Sequence, residues 1–141
     1  MTNFLSHSEE QTKKIARELG STIKTPACLC LYGNLGSGKT VFAKGLAEAF
    51  GIPAKSVKSP TYTYVRHYRA GKIDFYHFDF YRIEAADELM SGDIGEILGK
   101  KNAVVVMEWA GHVQNSLPGK RIDISFKYVD SSTRAITIND D

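Results

Sequence analysis

The sequence predicts an α/β fold in which a central parallel sheet, with antiparallel strands at its edges, is flanked by helices. Two apolar runs, residues 27–32 and 103–107, are typical of buried strands. A glycine-rich loop, residues 33–40, separates the first run from a segment of helical character. Two late segments, residues 122–128 and 134–138, alternate as half-exposed strands do. Buried runs favour a parallel interior, and alternating runs favour antiparallel edges.

The first half of the chain contains two predicted helices. Ser8 can cap the first helix, Gln11 stands at the capping-box position three residues later, and Gly20 ends it. The second helix follows the glycine-rich loop over residues 41–50 and closes at Gly51. The spacing therefore places a strand, a loop and a helix in direct succession.

The middle of the chain predicts a hairpin and a further helix. Residues 62–68 and 73–81 have the composition of two strands joined around Ala70-Gly71. Residues 85–98 are helical in part, and we expect an interruption at Ser91-Gly92, because serine and glycine are poor residues for a helix interior.

Composition indicates one globular domain over residues 1–141. Hydrophobic residues make up 43% and charged residues 24%, which excludes intrinsic disorder as the main state. No apolar run approaches the ~20 residues of a membrane-spanning helix, and residues 1–10 lack the features of a secretory signal. The net charge of +2 is too balanced to indicate nucleic-acid binding by bulk charge. Cys28 and Cys30 share one face of a strand, where a mutual disulfide is unfavourable, so we expect free thiols in a reducing cytoplasm.

The glycine-rich loop carries the strongest chemical signal. The segment from Gly33 to Thr40 matches the phosphate-binding pattern G-x-x-x-x-G-K-[ST] in full, between a strand and a helix as the pattern requires. Its glycines allow the backbone to turn its N–H groups inward, and the helix dipole favours negative charge at the same place. Lys39 can reach the β- and γ-phosphates, and Thr40 can offer its hydroxyl to Mg²⁺. The sequence thus predicts a P-loop nucleotide-binding fold.

A carboxylate ends the second apolar strand. P-loop folds place such a strand beside the strand that leads into the loop, with its terminal acid near Mg²⁺. Glu108 can therefore hold the metal, directly or through water, or orient the attacking water, and the alternative is an ordinary acid at the surface. Trp109 follows directly, and it is either packed or functional.

Residues 61–82 hold eight of the chain's aromatic side chains, interleaved with arginines. This composition resembles a nucleic-acid surface, but a hairpin packed on the core explains it more readily. Tyr62, Tyr64, Arg66 and Tyr68 are expected on one strand face by the period of two. If that face is exposed, it is a candidate docking patch, and if buried, it is core.

Asp79 is a carboxylate among aromatic residues near the end of the second hairpin strand. A buried lone carboxylate is costly, so we expect a partner for it: the Mg²⁺ shell, Lys39 or an arginine, with a structural salt bridge as the alternative. His77 on the same face is interpreted as packed rather than catalytic. Thr61 or Thr63 can supply a hydroxyl that senses the γ-phosphate, although a plain turn explains the segment equally well.

Taken together, four segments resemble the bacterial TsaE (YjeE) family, small P-loop ATPases needed to make threonylcarbamoyladenosine in tRNA. The similarity runs from about Ser8 to the last strand and is far more specific than the phosphate loop alone. Asn34 and Ser37 replace the Asp and Ala usual in that loop, and the loop glycines, Lys39 and Thr40 remain. The four segments are residues 33–40, residues 57–63 (Val-Lys-Ser-Pro-Thr-Tyr-Thr), residues 76–82 (Tyr-His-Phe-Asp-Phe-Tyr-Arg) and residues 107–109 (Met-Glu-Trp).

The resemblance implies partners and site roles. The family's ATPase works with the TsaD–TsaB pair, in which TsaD transfers the threonylcarbamoyl group to adenosine 37 of tRNA, so tRNA is contacted through the complex. Hydrolysis would reset that complex between turnovers, and residues 59–63 would form a switch-like element. Thr40 and Glu108 would ligate Mg²⁺, and the catalytic residues would be Lys39, Asp79 and Glu108. The implied ATP-binding residues are Glu9, Gly33, Gly36, Ser37, Gly38, Lys39, Thr40, Val41, Trp109 and Arg134.

The expected activity is Mg²⁺-dependent ATP hydrolysis, slow in isolation. Water attacks the γ-phosphoryl group in line, Lys39 and Mg²⁺ neutralise developing charge, and Glu108 or Asp79 orients the water. Arg66 and Arg82 are candidate arginine fingers, and a partner can complete the site. The absence of an N/T-K-x-D guanine-reading motif favours ATP. Two alternatives stay open: a small-molecule kinase, for which little chain remains to build an acceptor lid, and a nucleotide-dependent docking module with incidental hydrolysis.

Overall fold

The strands of the protein form one sheet in the computed structural model, which describes residues 1–59 and 63–140. The described residues also form three α-helices: α1 (Glu9–Gly20), α2 (Lys39–Ala49) and α3 (Glu88–Leu98). Short 3₁₀ segments span Ala54–Ser56 and Ala110–Ser116. The seven strands within these residues are β1 (Thr2–Ser6), β2 (Ala27–Tyr32), β3 (Val65–Ala70), β4 (Ile73–Asp79), β5 (Ala103–Glu108), β6 (Ile122–Tyr128) and β7 (Arg134–Asn139).

The strand order β1-β7-β6-β2-β5-β4-β3 confirms the predicted fold class. The four inner strands, β6, β2, β5 and β4, run parallel to one another. The strands β7 and β3 pair antiparallel with the inner group, and β1 pairs antiparallel with β7 at the edge. Strand β5 lies directly beside β2, as the P-loop interpretation requires, so Leu31 and Glu108 are register partners.

Two apolar clusters cover the two faces of the sheet. One joins α1 and α2 to the sheet through residues such as Phe42, Leu46 and Val106. The other packs α3 and the 3₁₀ segment Ala110–Ser116 against Tyr76, Phe78 and their neighbours. Residues alternate between the clusters along β5, whose six residues are all buried, and this explains the unbroken apolar run seen in the sequence.

Helix α1 begins as its sequence predicts. The hydroxyl of Ser8 accepts a hydrogen bond from the backbone N–H of Gln11, and the Gln11 side chain accepts one from the backbone N–H of His7. The first contact satisfies one backbone donor that the first turn of a helix leaves free, and the second ties down the residue that precedes the cap. The helix then packs closely on α2, because Gly45 allows the two backbones to approach.

We expect Gly45→Ala to lower the free energy of unfolding by about 1–3 kcal/mol, the range for overpacking a tight contact. A Cβ atom at position 45 would lie 2.6 Å from the carbonyl oxygen of Lys13 and 2.7 Å from the Cβ of Ala16. Neither neighbour is a flexible side chain, so the helices must separate. Urea unfolding checks this value.

The matched control for that variant is Gly92→Ala in α3. Nothing lies within 4 Å of a Cβ atom built at Gly92, and the residue is exposed in the helix interior. Alanine should therefore raise stability by about 0.5–1 kcal/mol. Equal effects of the two substitutions would contradict the close approach of α1 and α2.

Two expectations from the sequence were wrong, and one strand was missed. Strand β1 was not predicted, since five residues at a chain end gain their structure from β7, more than 120 positions along. Helix α3 runs through Ser91-Gly92 without interruption, because Asp87 caps it and Met90 and Ile94 anchor one face in the core. The first hairpin strand begins at Val65 rather than at position 62.

Among the described residues, no helix is long and apolar enough to cross a membrane.

Candidate nucleotide-binding site

The phosphate-binding loop lies between β2 and α2, at the carboxyl end of the parallel strands. Its backbone takes positive φ at Gly33 (153°), Gly36 (75°) and Gly38 (107°). At Gly33 a side chain is also excluded by space, because a Cβ atom would lie 2.6 Å from the Ser37 hydroxyl and 2.9 Å from the Phe126 carbonyl oxygen. These contacts give the physical reason for the glycines in the motif.

The N-terminus of α2 is open for an anion. Gly38 is its N-cap, no side chain caps the helix, and its first turn holds no acidic residue. The first N–H groups of a helix lack partners within the helix and carry the positive end of its dipole. Lys39, Thr40 and Val41 form this first turn and line the adjoining cavity. The arrangement is suited to hold phosphate.

Lys39 is a buried cation whose ammonium is held by the loop. Its Nζ donates to the carbonyl oxygens of Gly33 at 2.6 Å and Asn34 at 2.8 Å. The same Nζ lies 4.3 Å from the ring centroid of Trp109, a cation–π contact. Burial lowers the pKa of Lys39, while the charges of Glu108 and Asp79 act in the opposite direction. Two carbonyls and an indole face therefore position one positive charge at the mouth of the loop.

Glu108 lies beside Thr40 rather than at the surface. The Thr40 hydroxyl donates to Oε1 of Glu108 at 2.9 Å, and the Glu108 side chain is only 3% exposed. Nε2 of His77 lies 2.6 Å from Oε2 of the same carboxylate. The structure thus joins Thr40, Glu108 and His77 in one chain of contacts. The contact between His77 and Glu108 was not predicted, because it joins residues of neighbouring strands that are 31 positions apart in the chain.

A cavity of about 610 Å³ extends from the loop across the end of the sheet. Two of the residues inferred from the sequence, Gly33 and Ser37, do not line it; Ser37 is buried beneath the loop, where Lys39 donates to its hydroxyl at 3.4 Å. The inferred residues that do line the cavity are Glu9, Gly36, Gly38, Lys39, Thr40, Val41, Asp79, Glu108, Trp109 and Arg134.

Further residues line the cavity from regions where the sequence implied only Glu9 and Arg134. They belong to the β1–α1 junction and to the β6–β7 turn, two regions that the antiparallel edge brings together. No motif marks them, since their proximity depends on the pairing of strands at opposite ends of the chain. They are Ser6, His7, Ser8, Thr12, Ser131 and Ser132, together with Tyr81 after β4.

The arginine that the structure brings to the cavity is Arg134. Its guanidinium donates to the Gly36 carbonyl oxygen at 3.4 Å and lies 4.0 Å from the ring centroid of Tyr128. Arg66 and Arg82, the fingers suggested by the sequence, do not line the cavity. Arg66 lies exposed on the edge strand β3.

Asp79 is half-buried beside Lys39 and Glu108, and its Oδ1 accepts a hydrogen bond from the backbone N–H of Tyr81. Burial raises the pKa of the Asp79 carboxyl above its ordinary value. The negative charge of Glu108 raises this pKa further, and the Tyr81 bond and the Lys39 charge lower it. The ionised form of this carboxylate therefore lowers the stability of the folded protein.

We expect Asp79→Asn to raise the stability of the nucleotide-free protein at pH 7. A carboxyl whose pKa is raised by folding destabilises the fold above that pKa and has no such effect below the ordinary aspartate value. The gain should therefore disappear as the pH falls through this range, while asparagine still accepts the Tyr81 bond. Paired urea unfolding of both proteins between pH 7 and pH 3 measures it. A gain that persists at the lowest pH would contradict the assignment.

Trp109 is both packed and part of the cavity wall. Its φ of 58° is the one positive value found at a non-glycine residue in the described part of the chain. Such backbone conformations cost about 1–3 kcal/mol and concentrate at functional sites. The indole also contacts Tyr81, with ring centroids 5.0 Å apart. The packing interpretation is thus confirmed, and a functional role for this side chain stays a prediction that its place in the cavity wall supports.

The prediction that the hairpin tyrosines share one strand face was wrong. Tyr64 precedes β3 and stacks with Phe78 at 6.1 Å on one side of the sheet, whereas Tyr68 packs edge-on against Phe75 in the other cluster. Most of the hairpin aromatics are core, as the simpler interpretation held. Tyr62, like Thr61 of the switch-like segment, lies outside the described residues. Within that segment, the hydroxyl of Ser59 lies 3.4 Å from the hydroxyl of Thr40.

Fold and loop together define a protein of the P-loop class, and the cavity beside the loop is its candidate nucleotide site. The sequence profile described as "Threonylcarbamoyl adenosine biosynthesis protein TsaE" matches residues 6–136, and the chain belongs to this family.

Similar proteins agree with that assignment. The chain is 38% identical over 129 residues to the tRNA threonylcarbamoyladenosine biosynthesis protein TsaE of Bacillus subtilis, covering 91% of this chain and 78% of the relative. It is 38% identical over 110 residues to the protein of the same name from Aquifex aeolicus, covering 77% of each. The crystal structure of YdiB from Bacillus subtilis superposes with a TM-score of 0.78 at 31% identity, covering 97% of this chain and 83% of that one.

Proposed function

We propose that this protein is a Mg²⁺-dependent ATPase that supports the threonylcarbamoyl modification of adenosine 37 in tRNA, together with the TsaD–TsaB complex. The observation that carries the proposal is the contact between Thr40 and Glu108 at the open N-terminus of α2, beside the buried ammonium of Lys39. Membership of the TsaE family supports the pathway, because its relatives are named for threonylcarbamoyladenosine biosynthesis.

The residues present fit a magnesium ion. Thr40 and Glu108 offer a hydroxyl and a carboxylate as neighbours, and Asp79 adds a second carboxylate in the same cavity. Mg²⁺ prefers such hard oxygen ligands and is usually held by one or two carboxylates plus the substrate's phosphates. When bound there, the ion would neutralise charge on the phosphate oxygens. Thr40 and Glu108 would hold it, as the family resemblance implies.

The chain's own groups account for the remaining steps. The backbone N–H groups at the start of α2 bind the phosphates, and the ammonium of Lys39 neutralises charge that develops on them. Glu108 or Asp79 orients a water molecule, whose oxygen forms a bond to the γ-phosphorus as the bond to the bridging oxygen breaks. ADP carries away the electron pair of that bond, and the proton lost by the attacking water passes to the solvent. The products are ADP and inorganic phosphate.

A direct experiment uses Trp109, the one tryptophan in the sequence. Because its indole contacts Lys39 at the cavity, ATP binding should change its fluorescence, and phosphate release then measures turnover with Mg²⁺. Transfer of the γ-phosphoryl group to nucleosides or sugars instead of water would favour a small-molecule kinase. A protein that neither binds nor hydrolyses ATP would contradict the proposal.

The pathway role requires reconstitution with TsaD, TsaB and tRNA, following multiple turnovers with and without this chain. We expect the chain to be needed for turnovers after the first. A variant that binds ATP without hydrolysing it, and still supports all turnovers, would favour the docking module.

The proposal places this reaction in the cytoplasm, where the neighbouring sulfurs of Cys28 and Cys30, 3.9 Å apart, remain reduced thiols.

We expect the TsaD–TsaB pair to stimulate hydrolysis, and Arg66→Glu to abolish the stimulation without changing the basal rate. Arg66 is exposed on the edge strand and lies outside the cavity, so its charge is available to a partner. The matched control is Lys14→Glu, a reversal of charge at an exposed position of α1. Equal stimulation of wild type and Arg66→Glu would exclude this residue from the interface.

A further inference from the structure

His77 is a buried residue that packing alone does not explain. Its side chain has no solvent exposure, and its Nδ1 is the one buried side-chain nitrogen or oxygen without a hydrogen-bond partner among the residues that the structure describes. An unpaired polar atom in the interior costs about 1–3 kcal/mol, and more than nine in ten buried polar groups avoid that cost. A phenylalanine or leucine would fill the same space without it. The imidazole is therefore retained for its other nitrogen.

That other nitrogen, Nε2, lies 2.6 Å from Oε2 of Glu108. We propose that His77 is a positioning residue that fixes the Glu108 carboxylate toward Thr40; this inference rests on the ATPase function proposed above. The register of the sheet makes the contact possible. His77 is paired with Val106 and Asp79 with Glu108, so the histidine is the diagonal neighbour of the carboxylate on the face that packs against α2.

The unpaired Nδ1 identifies the tautomer. With the proton on Nε2, the imidazole donates to the carboxylate, and Nδ1 carries only a lone pair. With the proton on Nδ1, a buried N–H would lack an acceptor, and the Nε2 lone pair would oppose a carboxylate oxygen 2.6 Å away. The first arrangement satisfies every N–H of the ring. His77 therefore donates, and Glu108 accepts.

Two donors thus define the orientation of Glu108. The Thr40 hydroxyl reaches Oε1 at 2.9 Å and Oε2 at 3.2 Å, and His77 holds Oε2 from the strand side. Without His77 the carboxylate would keep one partner and could rotate about its terminal bond. Removing a group that orients a metal ligand or a catalytic carboxylate typically lowers metal affinity or activity by about 10–100-fold.

The test compares two amides of different reach. His77→Gln places an amide nitrogen near the position of Nε2, whereas His77→Asn reaches only as far as Nδ1, so glutamine preserves the donor and asparagine does not. We expect His77→Asn to lower kcat by at least about tenfold and to raise the Mg²⁺ concentration for half-maximal activity, with the KM for ATP changed by less than about twofold. His77→Gln should recover most of the lost kcat.

Equal activity and Mg²⁺ dependence of His77→Asn and wild type would overturn the inference. Equal impairment of both amides, accompanied by the same loss of thermal stability, would reduce His77 to a packing residue and would overturn it as well. An inactive wild-type protein that binds no nucleotide would instead refute the proposed function.

A measurement on the nucleotide-free wild-type protein requires no variant. Long-range ¹H–¹⁵N spectra of the imidazole should show a proton on Nε2 that lies far downfield because of its bond to Glu108. In Glu108→Gln the same proton should move upfield, because a neutral amide oxygen is a weaker acceptor. A protonated Nδ1 with an unprotonated Nε2 would overturn the inference whether or not the protein hydrolyses ATP.

Discussion

Lys39→Ala is expected to abolish ATP hydrolysis and to weaken ATP binding by at least about tenfold, or about 1.4 kcal/mol. The loop glycines and the N-terminus of α2 would remain, so the phosphates would keep their backbone donors. The lost group is a buried ammonium whose position is set by the Gly33 and Asn34 carbonyl oxygens at 2.6 and 2.8 Å. Its preorganisation means that phosphate meets a fixed charge rather than a flexible side chain.

Isothermal titration with ATP and a phosphate-release assay measure the two effects of Lys39→Ala separately. The matched control is Lys44→Ala, which removes the same charge from the same helix at a position that does not line the cavity. The control should bind and hydrolyse ATP as the wild type does. If Lys39→Ala binds and hydrolyses ATP as well as the control, the assignment of the phosphate-binding loop fails.

A conservative replacement at this position should not rescue activity. Lys39 is 4% exposed and stands between two carbonyl oxygens and the face of Trp109. A guanidinium is a planar fork larger than an ammonium and does not fit three such neighbours. Lys39→Arg is therefore expected to retain the charge and still lose most of the turnover. The comparison separates the requirement for a charge from the requirement for its position.

The parts of the site that the sequence predicted are those with local causes. Strand β2 coincides with the apolar run at residues 27–32, and the loop glycines take positive φ where the pattern requires it. The position of Glu108 beside Thr40 was also predictable, because the parallel β2 and β5 strands end at the same edge of the sheet. In each case the cause lies within a few residues or follows from the fold class.

The parts that sequence reasoning missed depend on distant pairing. Strand β1 forms because β7 offers an edge, and that pairing brings His7 and Ser132 to the cavity. The contact of His77 with Glu108 depends on the register of β4 with β5, since a shift of one residue would turn His77 to the other face. Tyr64 is not on its expected strand face because β3 begins only at Val65, so Tyr64 precedes the strand. Local composition does not encode such registers.

Glu108→Gln is expected to reduce hydrolysis far more than nucleotide binding, with kcat falling by about 10²-fold or more if this side chain orients the water. The substitution keeps the shape and removes the charge. It also replaces one acceptor oxygen by an N–H₂ group, although the carboxylate receives donors from both sides, Thr40 at 2.9 Å and His77 at 2.6 Å. Either the Thr40 hydroxyl or the His77 imidazole would then face the new N–H₂ group, which is also a donor. The contacts that orient this side chain at the N-terminus of α2 would therefore be lost together with its charge.

Single-turnover and steady-state phosphate release measure kcat for Glu108→Gln, and a fluorescent ATP analogue measures binding without depending on the adjacent Trp109. Glu96→Gln, at an exposed position of α3, makes the same chemical change away from the cavity and should have no effect. Asp79→Asn distinguishes the two cavity carboxylates. Replacing the carboxylate that orients the water should lower kcat even at saturating Mg²⁺, whereas replacing the other should not. Normal turnover of Glu108→Gln under that condition, together with a loss in Asp79→Asn, would transfer the role to Asp79 and leave Glu108 as a structural partner of Thr40.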